Sequence, residues 1–141
     1  MLITGDTGNE KIAKLYLNDG SGGFSLKATP FPGVDFSSIA FADVDRKNGF
    51  DVLITGWLGS KSIAKLYLND GEGNFTEEKG TPFERVSNGS IAFADVDGKN
   101  GPDVLITGNT GSGRIAKLYL NDGSGGFSLK ATPFPGVDFS S

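Results

Sequence analysis

The sequence predicts an all-β fold built from repeated four-stranded antiparallel units. Three observations carry this. The chain repeats itself at a spacing of 51 or 52 residues, its apolar residues alternate with period two, and its 22 glycines fall between the alternating runs. Regular apolar spacing between turn signals marks a strand-rich protein; a disordered tract of the same glycine content lacks that spacing.

The repeat is nearly verbatim. Leu2-Ile-Thr-Gly5 returns at 53–56 and 105–108, Ala13-Lys-Leu-Tyr-Leu-Asn-Asp-Gly20 at 64–71 and 116–123, and Thr29-Pro-Phe31 at 81–83 and 132–134. Residues 1–38 and 104–141 are almost one sequence written twice. Such repetition belongs to architectures in which each unit buries its apolar faces against its neighbours.

Within a unit, Ser90-Ile-Ala-Phe-Ala-Asp95 alternates large and small apolar residues and predicts a first strand in a crowded place, with its copy at 38–43. Asp103-Val-Leu-Ile-Thr-Gly108 predicts a short second strand. Ile115–Asn121 predicts a third, with Ala116, Leu118 and Leu120 on one face and Ile115, Lys117 and Tyr119 on the other. Asn121-Asp-Gly-Ser-Gly-Gly126 is a hairpin connection, because Asn, Asp and Gly tolerate the positive φ that tight turns require. Phe127–Ala131 predicts the fourth strand, and Thr132-Pro-Phe-Pro135 ends it, since proline cannot donate to a ladder. Four short antiparallel strands per unit of this length describe a β-propeller blade. A plain β-sandwich is the alternative, but it does not require one unit copied along the chain.

The first-strand motif occurs twice and the other three occur three times. The reading is therefore an incomplete, three-stranded blade at 1–37 and whole blades at 38–89 and 90–141. Under three blades leaves apolar flanks and unpaired edges open. Propellers close with about four to eight blades, and two chains joined head-to-tail supply about six positions. A head-to-tail homodimer completing the ring is expected, with a trimer as the runner-up. Phe36, Phe83, Phe134 and Phe139 are expected to pack between blades, and Tyr16, Tyr67 and Tyr119 within them.

Composition narrows the function. A chain of 141 residues, 37% hydrophobic, builds one modest domain. No apolar run is long enough for a membrane helix, and Met1-Leu-Ile-Thr-Gly5 lacks the charged start and apolar core of a signal peptide. A net charge of −4 with dispersed Lys and Arg argues against a nucleic-acid partner. With no Cys and no His, disulfides, Cys/His zinc sites and Ser-His or Cys-His nucleophiles are excluded. An enzyme would be left with carboxylates, Lys, Tyr or a hard metal, and the acidic residues recur identically from blade to blade, whereas active sites are single and asymmetric. The expectation is no enzyme.

The acidic residues form a pattern of their own. Asp43, Asp45 and Asp51, and again Asp95, Asp97 and Asp103, place carboxylates at relative positions 1, 3 and 9 of a loop between two apolar segments. Hard cations such as Ca²⁺ want six to eight oxygens, several from carboxylates.

The run Phe93-Ala-Asp-Val-Asp97, Asp103-Val-Leu-Ile-Thr-Gly108 and Leu118-Tyr-Leu-Asn-Asp-Gly-Ser-Gly-Gly-Phe127 resembles the FG-GAP/VCBS repeat of integrin-α-type β-propellers and of several propeller lectins. The resemblance covers essentially the whole chain. It implies one four-stranded blade per repeat, an Asp-rich loop joining the first two strands, and extracellular binding or adhesion. It also implies a loop of the form Asp-x-Asp/Asn-x-Asp-Gly-x-x-Asp. Here Lys47 and Lys99 stand where an acidic ligand is expected, and Asn48 and Asn100 stand where the family has glycine. Three readings stay open: a weakened Ca²⁺ site completed by Asn48 or Asn100 and backbone carbonyls, a Lys47 or Lys99 ammonium replacing the metal, or solvated turn carboxylates.

The copies differ between second and third strands, beginning at Asp6, Trp57 and Asn109. Positions that vary while the blade stays constant are free to bind something, a glycan or a protein. Trp57, the only tryptophan, is read either as an exposed platform for stacking a sugar, as in a lectin-like propeller, or as cover for a neighbouring blade together with Leu58.

Overall fold

A computed structural model describes residues 1–137 and contains no helix among them. Strands β1 (Leu2–Asp6), β2 (Lys11–Asn18) and β3 (Phe24–Lys27) form one sheet. Strands β4 (Asp35–Ala42), β5 (Asp51–Trp57), β6 (Ser62–Asn69) and β7 (Phe75–Glu78) form a second. Strands β8 (Ser87–Ala94), β9 (Asp103–Asn109), β10 (Arg114–Asn121) and β11 (Phe127–Lys130) form a third. Every pairing is antiparallel and follows chain order, so each sheet is a blade-like meander. The three-plus-four-plus-four arrangement agrees with the strand repeats.

Local chemistry makes the meander. In the turns after β2, β6 and β10, one aspartate gathers the backbone: Asp122 Oδ1 accepts from Ser124 N at 2.8 Å and Gly126 N at 3.1 Å. Asp19 and Asp70 repeat this. Such bonds favour the ionised carboxylate. Accordingly all three lie below the usual carboxylate range, led by the Ser21 N–H for Asp19, the Asn74 side chain for Asp70 and the Ser124 N–H for Asp122.

One expectation is corrected. The first strand of each whole blade starts three residues early, at Asp35 and Ser87, so boundaries at 38 and 90 cut through β4 and β8. The pairing skips from Asp35 to Ser38 and from Ser87 to Ser90. A bulge of this kind breaks the period-two signal. Phe36 (φ 46°) and Asn88 (φ 52°) take the left-handed conformation there.

The sheets stack through the same interface twice. Between the first and second sheets lie Leu15, Phe31, Val34, Val52, Ile54 and Tyr67. Between the second and third lie their copies Leu66, Phe83, Val86, Val104, Ile106 and Tyr119. Each interface is centred on a phenylalanine that follows a blade's last strand. Phe31 sits edge-on to Tyr67 at 4.9 Å and tilted against Phe75 at 5.1 Å. Phe83 meets Tyr119 and Phe127, both at 5.1 Å. Of the phenylalanines expected between blades, Phe83 is therefore placed as expected. Phe36 and Phe134 are instead exposed, and Phe139 lies outside the described residues.

Candidate functional site

The acidic loops connect β4 to β5 and β8 to β9. In each, one carboxylate oxygen from each of the three aspartates lies within 4.8 Å of the others. The three do not have equal roles. Asp51 is buried at the start of β5, where Oδ2 accepts from Val44 N at 2.8 Å and Oδ1 from Asn69 N at 3.0 Å. Asp103 does the same with Val96 N (2.8 Å) and Asn121 N (2.9 Å). Each thus clips the acidic loop to the end of the blade's third strand. Burial pushes the Asp51 carboxyl up, against the pull of its two N–H donors and with the charges of Asp45 and Asp43 adding to the rise.

The other two aspartates of each loop fold around the residue at position 5. Asp43 Oδ1 and Asp45 Oδ1 both accept from Lys47 N, at 3.1 and 2.9 Å. Asp95 and Asp97 hold Lys99 N in the same way, at 3.1 and 3.0 Å. Lys47 and Lys99 therefore enter the site through their backbone. They are exposed, and among the described residues no ion pair joins either ammonium to the carboxylates. Asn48 (φ 60°) and Asn100 (φ 64°) adopt the left-handed conformation that glycine takes most readily, and asparagine tolerates it better than most residues. This explains how Asn stands there without breaking the turn.

The triad fits a hard cation in part. The outer carboxylates keep their second oxygens, and three clustered charges repel one another unless a cation joins them. The cation's place would be structural, bracing the connection between a blade's first two strands.

The other candidate face is less open than expected. Asp6, Trp57 and Asn109 end β1, β5 and β9, at equivalent positions of the three sheets. Asp6 Oδ1 accepts from Gly8 N at 2.7 Å, and Lys11 stands 3.8 Å from its other oxygen. Asn109 Oδ1 accepts from Gly111 N at 2.8 Å. Both side chains cap their own turns. Trp57 cannot do so; it is half-buried rather than exposed, and the bulged strand β4 pairs Asp35 with it. Leu58 packs on the core between the first two sheets, as the covering role requires.

Two features escaped the sequence. A groove of about 190 Å³ runs beside β6 and β7, with Lys65, Glu77, Lys79 and Arg85 on its walls. An apolar recess of about 270 Å³ lies on the third sheet, walled by Ala92, Ala94, Val96, Leu105, Leu118 and Phe134. The second had a signal: each wall residue is a copy of one in the preceding blade. Compared with family models, with curated proteins and with solved structures, the chain finds no match.

Proposed function

We propose that this chain is a non-catalytic β-propeller repeat module of FG-GAP/VCBS type, serving binding or adhesion and assembling head-to-tail into a ring. The observation that carries the reading is the repeated interface: three like sheets stack through one set of side chains used twice. An array of that kind extends by adding the same contact. The resemblance places such modules outside the cell. Light scattering on the chain tests the assembly, with twice the 14.7 kDa of one chain expected, or three times for the trimer. A monodisperse single-chain mass overturns it.

Ca²⁺ is the proposed ligand of the acidic loops, held by Asp43, Asp45 and Asp51 and by Asp95, Asp97 and Asp103 with backbone oxygens. Calorimetric titration of chelator-treated protein should give binding heat and a raised unfolding temperature. Absence of both at millimolar Ca²⁺ removes the metal from the reading.

A lectin-like use is the second reading. It is favoured by one observation: Trp57 keeps part of its indole exposed where the equivalent residues, Asp6 and Asn109, are small and polar. Loss of glycan binding in Trp57→Ala with the assembly intact supports it, and glycan arrays without signal dismiss it.

A further inference from the structure

The same side chains appear in this molecule both covered and bare. Val44 is wholly buried between the second and third sheets, while its copy Val96 is 57% exposed; Phe83 is 7% exposed and its copy Phe134 47%. On the opposite flank, Ile106 is 0% exposed and its copy Ile3 40%. Phe24, the copy of the partly buried Phe127, is 51% exposed. What differs between the members of each pair is the neighbouring sheet. The apolar recess beside Phe134 is therefore the face that, one blade earlier, the third sheet fills.

We infer that this face receives the first sheet of a second copy of the chain, in the register already used between the second and third sheets. This rests on the head-to-tail reading and specifies its contact. The first sheet is suited to the role because it carries the same side chains as the third: Ile3 for Ile106, Ile12 for Ile115, Tyr16 for Tyr119, Phe24 for Phe127, with Met1 in place of Val104. Phe134 then lies edge-on to the partner's Tyr16 and against the partner's Phe24, as Phe83 lies on Tyr119 and Phe127. The polar contact carries over too. Asn121 Nδ2 donates to Val44 O across the internal interface at 2.9 Å, and the partner's Asn18 meets Val96 O in the same way. One detail follows the first interface instead. Tyr119 OH accepts from Glu84 N at 3.0 Å, whereas Pro135, like Pro32, has no N–H to offer.

A cross-link tests the register. Inside the chain, a Cβ added at Gly125 would stand 3.8 Å from Asp45 Cβ, which is about the mean spacing in a disulfide. The copies of those residues are Gly22 and Asp97, and the chain has no cysteine to interfere. Chains carrying Gly22→Cys mixed with chains carrying Asp97→Cys should yield a covalent two-chain species on a non-reducing gel. The Gly125→Cys, Asp45→Cys double variant is the positive control for a bridge within one chain, and it carries the same backbone strain as Gly22→Cys, since Gly125 (φ 89°) and Gly22 (φ 92°) share one left-handed conformation. If that control bridges and light scattering shows an assembly, but the mixture gives no cross-link, this register is wrong and the ring reading survives. A single-chain mass ends both. If the control fails to bridge, Phe134→Ala decides. Its ring is on an open flank, so the fold should persist while self-association weakens at least tenfold; unchanged association overturns the proposal.

Discussion

Thr4, Thr55 and Thr107 occupy one position in the three sheets, yet their hydroxyls are partnered differently. Thr4 Oγ1 shares a hydrogen bond with Ser37 Oγ at 2.7 Å, and Thr107 Oγ1 accepts from Ser90 N at 3.1 Å. Thr55 Oγ1 is buried and, among the described residues, has no partner. Against Thr4 the difference is one substitution: Gly89 stands where Ser37 does, pressed too closely against the Thr107 carbonyl to carry a side chain. A buried hydroxyl without a bond keeps its desolvation cost. Thr55→Val should therefore raise stability by about 1 kcal/mol, and Thr107→Val should lower it by about as much, as read by urea unfolding. The tyrosines carry a pH signature. Burial, with a smaller push from Glu77, raises the Tyr67 phenol from 10 to about 12. Tyr119 is also raised by burial, but the Glu84 N–H opposes the rise. A folded pKa above the unfolded one means the native chain holds the proton more tightly. The stability tied to Tyr67 is thus complete below pH 10 and is lost as pH climbs from 10 to about 12. Phenolate absorbance should show Tyr67 ionising at the top of that window, with the unfolding temperature falling across it.

Among the elements, β4 and β8 teach most about what a sequence displays. Their alternating halves, Ser38–Ala42 and Ser90–Ala94, announce themselves through apolar spacing. Their first residues do not, because the bulge interrupts the period and places Phe36 and Asn88 at positive φ. Asparagine accepts that conformation, whereas a bulky residue there is strained by roughly 1–2 kcal/mol. Phe36 recovers little of this by burial, being 55% exposed. Copying the later blade, Phe36→Asn should stabilise the chain by about 1 kcal/mol in chemical denaturation, and a loss of stability would mean that the Phe36 ring makes contacts that outweigh its backbone strain. The acidic loops divide similarly. Their aspartates were legible as a cluster from spacing alone, but the roles within it were not. Nothing in the letters distinguishes Asp51, locked by two backbone donors, from Asp43 and Asp45, which wrap a lysine N–H. Nor does composition reveal that a tryptophan in a polar turn lies half-covered, since burial is set by the fold around it.

At the scale of the whole molecule, stability is distributed between interfaces that share no residue, one on each side of the second sheet. The repeat made this legible, because a sheet apolar on both faces must be sandwiched. The uneven covering was harder to foresee. Phe41 is 44% exposed while its copy Phe93 packs on the core, since the first sheet has three strands and leaves that corner of β4 open. The three equivalent phenylalanines turn this into a measurement. Phe31 and Phe83, at 8% and 7% exposure, each fill an internal interface, so either change to alanine should cost about 3–5 kcal/mol through lost burial and the cavity left behind. Because the two clusters are separate, the costs should add to within about 0.5 kcal/mol in the double variant. Phe134, bare in the single chain, should cost little in a dilute, dissociated sample, and should approach the internal cost only as concentration rises and copies assemble. Chemical denaturation of the three variants across a concentration series checks all of this. A Phe134→Ala penalty that is large and independent of concentration would mean that another part of the same chain covers that face.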